Sequence, residues 1–185
     1  MLDIAENSVA AQANDIIIRL EEDLCVDRLY LSVEDNGRGM DADTAAAVLD
    51  PFITSRTTRK IGLGIPLLKE AAEACQGGLT LSSTLGQGTC LEAWFQHSHI
   101  DRMPLGDLPG TFLTLLVAHP EIHWVLDYSF RPASCAEGTK FLFDDEPVKS
   151  ILADLPLSDP EVLAYLRQRL TEGISHEALE IQSSK

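Results

Sequence analysis

The chain has 185 residues, 45% of them hydrophobic, and a formal net charge of −15, which is enough apolar material for one packed domain or one domain with an annex. A surface this acidic repels phosphate backbones and anionic bilayers, so neither nucleic acid nor membrane is an expected partner. No apolar run reaches the roughly 18 residues that a membrane-spanning helix needs.

The opening MLDIAENS is acidic from its third residue, which is not the charge pattern of a secretory signal. Cys25, Cys75, Cys90 and Cys135 lack Cys-x-x-Cys spacing, so four reduced thiols in a cytoplasmic protein are expected. His97 with His99, and His119 with His123, do not match zinc-site spacing either.

Leu2 to Ala13 reads as an amphipathic helix with Leu2, Ala5, Val9 and Ala13 on one side. After a turn at Asn14-Asp15, IIIRL and RLYLSVED read as two strands joined through EEDLCVD. DADTAAAVLD is a short helix with an acidic start that ends by Pro51. FITSRTTRKIG is polar, basic and irregular. GLGIPLLKEAAEACQGG is a helix with Pro66 in its first turn and Gly77-Gly78 at its close. LTLSST and CLEAWF form a hairpin, in which Trp94 and Phe95 are expected in the core.

The composition changes at residue 97. HIDRMPLGDLPG is a connection, TFLTLLVAHP a helix, and IHWVLDYSF and TKFLFD a pair of strands. Trp124 and Tyr128, four apart on a strand, share one face and pack. DEPVKSILADL is a short helix. SDPEVLAYLRQRLTEG is a longer one, with Ser158 and Glu161 at capping-box spacing, and ISHEALEIQSSK should fray. Residues 97–185 either extend the first sheet or form a small α/β unit of their own.

Three glycine breaks carry the chemistry. Asp35-x-Gly37-x-Gly39 follows a strand, Gly62-Leu63-Gly64 opens a helix, and Gly86-x-Gly88-Thr89 joins two strands. Each alone is a turn signal. Upstream, Asp3 and Asn7 lie one helical turn apart and share a face. Arg56, Arg59 and Lys60 gather positive charge just ahead of a helix start in a very acidic chain, which suits a lid over phosphates.

In this order the pieces resemble the GHKL, or Bergerat, ATP-binding fold shared by gyrase, Hsp90-type chaperones, histidine kinases and MutL. DIAENSVAA matches its N box, DNGRGM its first glycine box, DPFITS its F-box region, KIGLGIPLL its second glycine box, and LGQGTCLEAWF its closing hairpin. The likeness implies a two-layer α/β sandwich, a mixed sheet with helices on one face, over residues 1–96. Residues 97–185 are then a C-terminal α/β extension.

The resemblance also implies roles. Asp35 accepts a hydrogen bond from the adenine amino group, and Gly37 and Gly39 let the backbone bend under the base. Thr89 supports Asp35 through its hydroxyl and water. Asn7 is a Mg²⁺ ligand, and Arg59, Lys60, Gly62 and Gly64 bind the phosphates. Asp3 stands where the family carries the Glu that activates water, and is one methylene shorter. Glu6 faces solvent or the lid.

ATP with Mg²⁺ is therefore the expected ligand. The leading reading is a module like the catalytic domain of histidine kinases and anti-sigma kinases, with its phosphoacceptor on another chain or upstream of Met1. The alternatives are a hydrolysing switch of the gyrase or MutL kind, and a non-enzymatic ATP sensor. Each implies a protein partner whose identity no motif gives.

Overall fold

The structure is a computed structural model that describes residues 1–50, 63–152 and 155–174. Its centre is a six-stranded sheet built from β1 (Asp15–Asp23), β2 (Arg28–Asp35), β3 (Gly78–Thr84), β4 (Gly88–Gln96), β5 (His123–Arg131) and β6 (Thr139–Asp144), in the order β3-β4-β2-β1-β5-β6. β1 and β5 are parallel and the other neighbours antiparallel, so the sheet is mixed. The helices are α1 (Leu2–Ala10), α2 (Ala42–Val48), α3 (Gly64–Ala74), α4 (Leu108–Ala118), α5 (Glu146–Leu152) and α6 (Pro160–Ile174).

Period-two alternation sets the two faces of the sheet. Ile16, Ile18 and Leu20 of β1, Leu29, Leu31 and Val33 of β2, and Trp124, Leu126 and Tyr128 of β5 are buried in a single core. The other face carries polar cross-strand pairs such as the Arg19–Glu34 ion pair (2.8 Å) and the Tyr30 hydroxyl donating to Glu92. α4 is apolar nearly all round, because it is enclosed on several sides and packs on α1 and α6. Its Phe112 meets Trp124 and Phe143 edge-on, with centroids 6.4 and 5.8 Å apart.

β5 pairs along the whole of β1, and α4 and α6 contribute Phe112, Leu116, Leu166 and Leu170 to the core that also holds Ile4 and Val33. The second half of the chain thus extends the first sheet. The N-terminal half could not reveal this, because parallel pairing joins residues about a hundred positions apart.

Glu22 falls in the buried series of β1. It is tolerated because Tyr128 Oη donates to Oε1 (2.8 Å) and His97 Nε2 lies 3.1 Å from Oε2. Burial, then the Glu22 charge, push the Tyr128 phenol up from its ordinary value. Asp145 is 2% exposed and is held by Lys149 Nζ (2.6 Å) and the Trp124 N–H.

Several local expectations are corrected. α1 stops at Ala10, with Gln12 at φ 62°, and its buried face is Ile4, Ala5 and Ser8 while Leu2 is exposed. α6 is capped by Asp159, whose Oδ1 accepts from Glu161 N (2.9 Å), and not by Ser158. Pro160 occupies the first helical position, so the residue before it is the cap. Trp94 and Phe95 are half-buried, and Trp94 covers Gly78. Cys25 and Cys135 are joined in a disulfide between the β1–β2 turn and the β5–β6 connection, so the expectation of four reduced thiols is overturned; Cys75 and Cys90 are free. The pairing was illegible because its partners are 110 residues apart and meet only when β5 joins β1. Pro51 and the tail from residue 175 lie outside the described residues.

At the start of β5, His123 Nδ1 faces Asp15 Oδ1 and its Nε2 lies 3.0 Å from Asp144 Oδ1. His123, Asp144 and Glu146 place polar atoms within 4.8 Å of one another, a grouping that histidine spacing did not show. Burial works to lower the His123 pKa, but the hydrogen bonds and charges of Asp15 and Asp144 outweigh it and the net shift is upward. A raised folded-state pKa gives stability that is fully present below the unfolded value of about 6.5 and lost as pH rises through the folded value. Urea denaturation from pH 5.5 to 8.5 should show this loss in the wild type and a smaller one in His123→Gln. Equal pH profiles would contradict the assignment.

Candidate functional site

The site forms where β2 ends. Asp35 continues the inward series Leu29, Leu31, Val33, so it points to the helix side, beneath α1. Ser8 Oγ donates to its Oδ2 (2.7 Å) and the Gly37 N–H donates to its Oδ1 (2.9 Å). Both carboxylate oxygens are thus oriented by internal donors, with lone pairs left for a ligand.

The glycines fit this bend. A Cβ on Gly37 would stand 2.8 Å from Ala11 O, which itself accepts from the Arg38 N–H. Gly39 has φ 62°, and a Cβ there would meet Thr84 O at 2.0 Å. The first glycine box is therefore clamped between the end of α1 and the β3–β4 turn, where Gly86 N donates to Arg38 O (2.7 Å). Asn36 completes the clamp: its Oδ1 accepts from Asn14 N and Asp15 N, and its Nδ2 donates to Asn14 Oδ1.

Thr89 pairs with Asp35 across the β2–β4 ladder. Its hydroxyl is 2.9 Å from Ser83 Oγ, which donates to Gly88 O and accepts from Met40 N. The hydroxyl that reaches Asp35 directly is that of Ser8, which motif reading missed. The available signal was a polar residue at a helical step from Ile4 and Ala5, on the face α1 buries.

Asp3 and Asn7 both lie on the exposed side of α1. Gly64, the first residue of α3, stands against Asp3: a Cβ there would be 3.2 Å from Asp3 Cβ and 3.8 Å from its Oδ2. The fold thus brings together the N box, the first glycine box, the start of α3 and the closing hairpin. Glu6 is exposed and 3.3 Å from His119 Nε2. Arg56, Arg59 and Lys60, read as the lid, and Gly62 of the second glycine box lie outside the described residues.

The donor set fits a metal-bound nucleotide. A carboxylate stands at the inner end, an amide oxygen and a second carboxylate lie a helical turn apart on α1, and α3 starts at Gly64 beside Asp3, with no side-chain cap at Leu63. No helix among the described residues is long and apolar enough to cross a membrane.

The family model described as histidine kinase-, DNA gyrase B- and HSP90-like ATPase matches residues 1–99. The sensor protein kinase FleS of Pseudomonas aeruginosa is 41% identical over 90 residues, 49% of this chain and 22% of that protein. A sensor protein of Shewanella frigidimarina is 34% identical over 80 residues, 43% of this chain and 12% of that one. The chain therefore spans less than a quarter of these relatives. Among solved structures, the Aquifex aeolicus MutL ATPase domain complexed with ADP aligns at a TM-score of 0.39 and 14% identity, covering 69% of this chain and 57% of that one. The histidine kinase domain of the Erythrobacter litoralis blue-light-activated kinase aligns at 0.33 and 18%, covering 46% and 35%.

Proposed function

Since the chain belongs to the histidine kinase-, DNA gyrase B- and HSP90-like ATPase family, we propose that it binds ATP with Mg²⁺ and uses it for phosphotransfer or signalling. Residues 1–96 form the nucleotide-binding unit, and residues 97–185 an extension that completes the sheet and serves a protein partner.

The observation that carries this reading is the Asp35 carboxylate, oriented by Ser8 and Gly37 at a bend that only glycine fits, one helix away from Asp3 and Asn7. An acceptor at this place takes a hydrogen bond from the adenine amino group and repels the carbonyl of guanine. Asn7 supplies a neutral oxygen of the kind that joins phosphates in holding Mg²⁺. Gly62 and Gly64 of the second glycine box bind the phosphates at the start of α3, with Arg59 and Lys60 supplying positive charge from the preceding lid. Thr89 backs Asp35 from the neighbouring strand.

The kinase-like reading draws its support from similarity to sensor kinases. It places the domain in the cytoplasm, where ATP is supplied, with neither nucleic acid nor membrane as ligand, and there the Cys25–Cys135 bond would be open to reduction. One feature favours a second reading, a non-hydrolysing ATP sensor. Asp3 is a methylene short of the family's water-activating Glu, and its reach to a phosphate-bound water is reduced accordingly.

The metal assignment predicts a specific loss. Asn7→Ala should bind ATP in excess chelator nearly as well as the wild type, while the gain that Mg²⁺ gives the wild type falls to almost nothing. Calorimetry with and without Mg²⁺ checks this. An undiminished Mg²⁺ gain would place the metal on other ligands.

A further inference from the structure

Ser8 is 5% exposed on the inner face of α1. Serine is a poor helix-interior residue, since its hydroxyl competes for backbone groups, and a buried hydroxyl without a partner is costly. Here the hydroxyl reaches across to the end of β2 and gives its proton to Asp35 Oδ2 at 2.7 Å. Gly37 N covers the other oxygen at 2.9 Å. The Gly37 bond is local, within one turn, and moves with the loop. The Ser8 bond is the long-range one, and it ties the carboxylate to a helix 27 residues away in sequence.

We propose that Ser8 is a positioning residue that sets the base selectivity of the site. It fixes the plane of the Asp35 carboxylate, so that the free lone pairs face the amino group of an adenine. It also couples the two ends of the ligand: Ser8 follows Asn7 directly, so any shift of α1 on metal binding is passed to the carboxylate that reads the base. This rests on the ATP reading above. The Thr89 hydroxyl is engaged by Ser83, which leaves Ser8 as the side chain that hydrogen-bonds Asp35 among the described residues.

The test is titration of ATP, GTP and adenosine into the full chain, the wild type beside Ser8→Ala, Ser8→Thr and Asp35→Asn, with thermal midpoints and circular dichroism for each. Ser8→Ala should bind ATP and adenosine about tenfold more weakly, the scale of one hydrogen bond to a charged group. Its preference for ATP over GTP should narrow, and Ser8→Thr, which keeps the hydroxyl, should recover both. Unchanged ATP affinity and preference in Ser8→Ala, with binding lost in Asp35→Asn, would overturn the role of Ser8 and leave the site standing. So would equal weakening toward ATP and GTP, which is the mark of a merely structural effect. Absent ATP binding in the wild type, or wild-type binding in Asp35→Asn, would remove the reading on which the proposal rests.

Discussion

Asp35→Asn should weaken ATP binding by about 100-fold while leaving the fold in place. The substitution keeps the shape of the side chain and one acceptor oxygen, so Ser8 or Gly37 can still be satisfied. It replaces the second acceptor by an amide N–H₂, which meets the adenine amino group donor to donor. Losing a hydrogen bond to a charged group costs about 1.5 to 3 kcal/mol, and 1.4 kcal/mol is tenfold in affinity, so the upper part of that range is about 100-fold. GTP, whose carbonyl is repelled by the carboxylate, should gain in relative terms. Equilibrium titration of both nucleotides into variant and wild type measures the effect. Equal ATP affinity in the two would show that Asp35 does not read the base.

Trp124→Ala should destabilise the whole protein by about 3 to 5 kcal/mol, the range for removing a large buried aromatic side chain. Trp124 is 0% exposed, meets Phe112 edge-on, and donates from Nε1 to His119 O (3.1 Å). Its strand pairs with β1, so the cavity would open in the core that also supports α1 and Asp35. Against a typical total of 5 to 15 kcal/mol, such a loss brings the fold near its limit. Trp124→Phe, which keeps a ring and loses the N–H, should cost less. Urea denaturation followed by circular dichroism should show one earlier transition that takes nucleotide binding with it. Two separate transitions, the first confined to residues after 97, would contradict a shared core.

What was legible in the sequence was local. IIIRL marked part of β1 and the alternation in RLYLSVED marked β2, although β1 runs on through Glu21, Glu22 and Asp23, which were read as the connection, and the Asp41 cap of α2, whose Oδ1 accepts from Thr44 N (2.8 Å), follows from the acidic start of that helix. The family motifs located Asp3, Asn7, Asp35, Gly64 and Thr89, and the structure gathers them at one end of the sheet. What depended on distant partners was not legible. The β1–β5 pairing, the Cys25–Cys135 bond and the His123 cluster with Asp15 and Asp144 each join segments that only the folded sheet brings together. Ser8 was hidden for a related reason: it was read as part of the N box, and its partner is set by which face of α1 turns inward. At Asp159 two adjacent residues could each cap α6, and the fixed φ of Pro160 decides between them.

As proposed, the bend at Asp35 reads adenine on a metal-bound nucleotide. The most direct test is calorimetric titration of the wild-type chain with ATP and with GTP, each with Mg²⁺ and with excess chelator. The expected result is saturable ATP binding that Mg²⁺ strengthens, with GTP weaker by tenfold or more. Equal affinity for the two nucleotides, or no ATP binding at millimolar concentration, would contradict it.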